Sequence, residues 1–135
     1  MEKIIAFDYM LSLFEKWHNE VAKKGEKFES LSKLSVLKLL FLVSVPKNDT
    51  DDEDLLQIFN KFCALPYGPV ESEIYTAINS NLLPSYSITE RSIKKKADNV
   101  KNMSDIGTYA LIDKAVEKLK STNSNLILTN AFDLV

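Results

Sequence analysis

The stretch Leu34-Ser35-Val36-Leu37-Lys38-Leu39-Leu40-Phe41-Leu42-Val43-Ser44-Val45 leaves this chain the least freedom. Wound as an α-helix, it shows apolar side chains on nearly every face. A helix with no polar face is buried in the middle of a domain. It is too short to span a bilayer. The rest of the chain must therefore supply the layers that cover it. Ser30 or Ser32 can cap its start and Pro46 closes it, which predicts a central helix over about 32–45. At 135 residues, with 45 % hydrophobic and 27 % charged residues, the chain is long enough to bury such a core as one domain, residues 1–135.

The covering layers read as further helices. Ile4, Phe7, Met10, Leu11, Phe14, Trp17 and Val21 recur at three- and four-residue steps, predicting a helix over 2–23 that stops at Gly25. Thr50 and Glu53 make a capping box for a helix whose buried face is Leu55, Ile58, Phe59 and Phe62, with Cys63 a small packing residue at its end. A helix is expected from Pro69 to about Asn79, and another after Ser104, with Tyr109, Ile112, Ala115, Val116 and Leu119 as its stripe. Leu126 to Val135 form a last apolar segment, read as helical. Tyr86 and Ile88 alternate over 85–89 and allow a short strand. The expected fold is a mainly α, compact bundle of five to six helices around the buried central helix, with room for a small β element.

The most structured connection is Pro66-Tyr67-Gly68-Pro69-Val70. Pro66 ends the preceding element. Gly68 can take the positive φ of a sharp corner, and Pro69 suits the first turn of a helix. Glu71 and Glu73 then meet the positive end of the helix dipole. Tyr67 is expected at the corner, with Tyr75 one helical turn further on, extending the contact or packing inside. By residue physics this is an ordinary rigid junction that holds an aromatic side chain in place.

Tyr67-Gly68-Pro69-Val70 followed by Glu73-Ile74-Tyr75 resembles the signature of the Panacea family, the SocA-like and GepA-like antitoxin domains. Lys38-Leu39-Leu40-Phe41-Leu42 resembles the family's lysine-leucine-leucine-tyrosine-phenylalanine helix. Ala110-Leu111-Ile112-Asp113-Lys114-Ala115-Val116 is similar to its later helix. The likeness spans roughly residues 32 to 135. It implies an antitoxin-like protein-interaction module of a toxin–antitoxin, phage or mobile-element context. Such a module neutralises a toxin by direct binding or presents a partner to protease machinery as an adaptor. The residues it points to for partner contact are Tyr67, Gly68, Pro69, Val70, Glu73 and Tyr75. In the family, a segment like Phe132-Asp133-Leu134-Val135 leads into a serine–histidine pair and a tryptophan. Neither follows here, which implies a shortened form and an apolar end that needs covering.

The residues argue against several other classes. Three glycines, Gly25, Gly68 and Gly107, form no phosphate loop. One histidine, His18, and one cysteine, Cys63, form neither a metal set nor a nucleophile–base pair. The acidic run Asp51 to Asp54 lacks the spacing of a calcium loop and reads as helix capping. No enzyme activity, cofactor or metal is expected. A lone cysteine suits a reducing compartment. Met1 to Asp8 is broken by charge, and no apolar run reaches transmembrane length, so the reading is cytoplasmic with no membrane partner. The net charge of −2 argues against a broad nucleic-acid surface. One basic cluster remains: Arg91, Lys94, Lys95, Lys96 and Lys101. It carries the alternative reading, a nucleic-acid-binding regulator, set against an ordinary solvated surface. A third reading is a structural protein of a mobile element, self-assembling as a homo-oligomer through its C-terminal end.

Overall fold

A computed structural model describes residues 2–45, 55–66, 68–96 and 106–128. The apolar stretch forms helix α2, Lys33–Ser44. Ser32 caps it, its Oγ accepting from the Ser35 N–H at 3.1 Å. Val36, Leu37, Leu39, Leu40 and Val43 are buried. The core helix read from the sequence is thus present, and the expected Ser32 cap is the one used.

Helix α1, Glu2–Val21, supplies the largest share of the core with Phe7, Met10, Leu11, Phe14 and Trp17, all at most 1 % exposed. Gly25 follows in the left-handed region at φ +92°, beyond the end of the helix. Two further helices follow α2: α3, Ser72–Asn79, and α4, Ile106–Thr122, which lies along α1. Tyr109, Ile112, Val116 and Leu119 of that helix are buried. Tyr9 and Tyr109 meet edge to face at 4.6 Å between ring centres. Among the described residues no helix is long and apolar enough to cross a membrane.

Between these helices the chain departs from the expected bundle. The described residues form four α-helices and two small antiparallel two-stranded sheets, an α+β arrangement. In place of a helix over the end of the 50s, only Leu55–Gln57 forms a short 3-10 turn. Thr50 and Glu53 lie outside the described residues. The chain then runs as strand β1, Phe62–Leu65, and returns as β2, Gly68–Glu71. Phe62 faces Glu71, Cys63 faces Val70, Ala64 faces Pro69 and Leu65 faces Gly68. Pro69 is therefore a strand residue, and helix α3 begins later, at Ser72–Asn79.

The register explains the outcome. The Ser72 N–H donates to the Lys61 carbonyl at 2.8 Å, which sets the hydrogen-bonding parity of the hairpin. That parity leaves Pro69 in a non-hydrogen-bonded pair, where its missing N–H costs nothing. Cys63, expected as packing, is exposed on β1.

The second sheet pairs β3, Tyr86–Ile88, with β4, Ile93–Lys95. Tyr86 and Ile88 are both buried, as the alternation implied. The Asp8 carboxylate, itself 3 % exposed, accepts from the Ser85 N–H at 2.9 Å and ties this sheet to α1. Near the C-terminus Leu126–Leu128 forms a 3-10 turn with Ile127 buried. The rest of the expected last helix lies outside the described residues, as do Ser104 and Asp105.

Candidate functional site

Residues flanking the sequence-predicted corner build the β1–β2 hairpin. Tyr67 lies outside the described residues. Gly68 adopts φ +120°, as a tight turn requires. A Cβ at this position would meet only the Lys38 Cε at 3.9 Å, so the demand for glycine comes from the backbone angle. Val70 is buried at 4 % exposure, and Pro69 is half-buried. These two hold the hairpin to the body, β2 packing against α2. Phe62 meets Phe41 of α2 edge to face at 5.5 Å.

At the base of the hairpin sits Glu71, which is fully buried. One carboxylate oxygen accepts from the Glu73 and Ile74 N–H groups at 2.8 and 3.1 Å, capping α3. The other accepts from the Lys61 N–H at 3.2 Å and pairs with the Lys3 ammonium at 2.7 Å. Lys3 also bonds Glu73, and it donates to Asn60 Oδ1 at 3.0 Å. The bond to Lys3, reinforced by its charge, holds the Glu73 carboxyl below its ordinary value. Burial pulls the Lys3 ammonium down, but the hydrogen bonds and charges of Glu71 and Glu73 outweigh it, and its pKa is raised. A buried carboxylate with every lone pair used is a structural keystone. Sequence reasoning placed Glu71 only in a helix's first turn and did not find Lys3, 68 positions away.

The outer side of the hairpin is different. Among the described residues the sheet contains only β1 and β2, so none of them forms a strand on the other side of β1. Its parity turns the Phe62 and Ala64 main-chain groups away from β2. Cys63, Ala64 and Leu65 are exposed, Leu65 at 40 %. Chains commonly protect such an edge with charge, a bulge or a covering element. The four residues of β1 carry no charge. Helix α3, next in the chain, exposes Tyr75 at 36 %, with the Lys33 ammonium 5.1 Å from its ring centre. Of the residues expected to contact a partner, Tyr75 and Glu73 are therefore on the surface, whereas Val70 is inside. The strand edge was missed because Phe62-Cys63-Ala64-Leu65 also fits a helix end. The signal that finds it is an apolar run entering a Pro-Tyr-Gly turn with a β-branched residue beyond.

The basic cluster lies on the other hairpin. Arg91 is exposed in the turn between β3 and β4, and Lys94, Lys95 and Lys96 are exposed along β4 and just after it. Lys95 lies 3.7 Å from Glu15, and Lys96 donates to Asn81 Oδ1 at 3.3 Å. Lys101 lies outside the described residues. The described residues contain no group of three His, Cys, Asp or Glu side chains able to hold a metal ion. Compared with family models, curated proteins and solved structures, the chain matches none.

Proposed function

We propose that the chain is an antitoxin-like protein-interaction module, which neutralises a toxin by direct binding or hands a partner to protease machinery, and which takes that partner along the free edge of β1. The observation that carries this reading is the uncharged strand Phe62–Leu65, exposed from Cys63 on, whose outward main-chain groups have no strand beside them among the described residues. An edge of this kind accepts an extended segment of another protein by strand addition. Main-chain hydrogen bonds supply affinity, and side chains such as Leu65 supply selectivity. Phe41 and the Glu71–Lys3 cluster hold the strand in place beforehand. Less ordering is then left to be paid for on binding. The resemblance of the hairpin and α3 residues to the antitoxin signature supports the choice of partner class.

The test is co-expression with the product of the adjacent reading frame, followed by capture and mass spectrometry. One stoichiometric partner, toxic when expressed alone, is the expected result. Ala64→Pro removes an outward N–H and blocks strand addition while leaving the β1–β2 pairing intact. It is expected to lose capture with its melting temperature nearly unchanged. Equal capture by the variant would remove the edge from the reading. Recovery of nucleic acid alone would favour the β3–β4 lysines instead.

A further inference from the structure

Where α1 and α4 lie side by side they form a half-open cleft of about 450 Å³. Three bridges hold its walls. The Tyr9 hydroxyl donates to Asp113 across one end. Lys120 pairs with Glu20 at 3.0 Å across the other. The Trp17 indole N–H donates to the Ser124 carbonyl at 2.8 Å, just past the end of α4. The two helices run parallel, since residues 9 and 20 of one meet residues 113 and 120 of the other. Along α1 the two helix-to-helix bridges are about 16 Å apart, at 1.5 Å per residue.

The floor is apolar and partly aromatic: Tyr9, Leu13, Trp17 and Val116. Tyr9, Trp17 and Val116 are buried and so form part of the core itself. The rim is charged, and its charges differ in what they do. Glu20 and Lys120 satisfy one another, and Asp113 receives the Tyr9 hydroxyl. Lys16 on α1 and Glu117 on α4 also line the cleft. Both are exposed, and neither side chain has an ion-pair or hydrogen-bond partner among the described residues. The site thus presents one free ammonium and one free carboxylate on opposite helices, with an apolar floor between them.

We infer that this cleft binds a small zwitterion with an apolar side chain, a free α-amino acid. Its carboxylate pairs with Lys16, its ammonium with Glu117 on the wall that also carries Asp113, and its side chain rests on the half-buried Leu13, above the buried Trp17. The volume lies in the lower part of the range of roughly 300–1,000 Å³ for small-molecule sites, which suits one amino acid and not a dinucleotide. The bridges at both ends fix the two walls relative to each other before the ligand arrives, so little ordering is required on binding. This site is separate from the β1 edge and does not depend on the partner-binding reading.

Trp17 is the single tryptophan of the chain, so its fluorescence reports on the floor directly. The experiment titrates the whole chain with L-leucine and L-phenylalanine, up to about 10 mM. Parallel titrations use N-acetyl-L-leucine, which lacks the ammonium, and L-leucinamide, which lacks the carboxylate. Saturable emission changes with the free amino acids, weakened about tenfold in each blocked analogue, are expected from losing one charge-assisted contact. Lys16→Gln and Glu117→Gln are expected to weaken L-leucine about tenfold each, with unchanged circular dichroism, since both side chains are exposed. A double-mutant comparison sharpens the assignment: Lys16→Gln should no longer distinguish L-leucine from L-leucinamide. Absence of a saturable response to either amino acid overturns the inference. So does equal binding of the blocked analogues, or binding that both variants leave untouched.

Discussion

The single most consequential side chain is Glu71, because four separate pieces of structure end on its carboxylate: Lys3, Lys61 and the first two capped amides of α3. Removing Lys3 leaves that buried charge unmatched. Lys3→Met is expected to cost about 2 kcal/mol in urea unfolding, below the 3–5 of a fully buried pair because Lys3 keeps some contact with solvent. His18 is the second residue of this kind. It is 3 % exposed, its Nδ1 has no hydrogen-bond partner, and it packs against Phe28 at 5.9 Å. Burial lowers its pKa, with the Glu26 charge opposing. The unfolded chain therefore binds a proton there more readily than the folded one, and stability falls as pH drops through about 6.5 and below. The slope contributed is at most one proton, about 1.4 kcal/mol per pH unit. A His18→Leu variant is expected to show a flatter stability profile between pH 7 and 5, measured by denaturant midpoints. Neither residue could be assigned its role from its neighbours in sequence. The burial of His18 depends on its packing against Phe28, and the charge pairing of Glu71 depends on Lys3, near the start of α1 and 68 positions away.

At the scale of elements, α1, α2 and α4 follow from periodicity and caps that are local, and the sequence locates them within a few residues. Ser32→Ala tests this directly: loss of the α2 cap is expected to cost about 1 kcal/mol. The β1–β2 hairpin was not legible. Leu55, Phe59 and Phe62 are spaced for a helix face, and Pro69 suits a helix start as well as a strand edge. What decides is pairing between residues three to nine apart, which places Val70 and Glu71 inside and Ala64 and Leu65 outside. Gly68 is the point on which the pairing turns. Gly68→Ala has room for its methyl but not for its φ, and is expected to lose about 1–2 kcal/mol and to reduce amide protection in both strands. The candidate edge was therefore hidden from sequence reading, although the residues around it were singled out.

Across the whole molecule the charge is low, and the basic hairpin is partly answered by Glu15 and Asn81. Reversing Lys94 and Lys96 to glutamate is expected to leave gel shifts with DNA at low salt unchanged from a weak background; a steep salt-dependent shift in the parent chain would contradict this. The chain's own amino-acid order determined a buried central helix, an amphipathic first helix and a glycine at the Gly68 corner, and it left room for a short strand at Tyr86. Each rests on spacings of two to four residues, within which side-chain direction follows from backbone geometry. Only the tertiary structure decided that the middle of the chain folds as hairpins, that Glu71 is buried and matched by Lys3, that Cys63 lies outside, and that α1 and α4 leave a cleft between them. Those outcomes depend on which distant surfaces meet, and burial of a charge or exposure of a strand edge is settled by the partner surface and not by the residue itself.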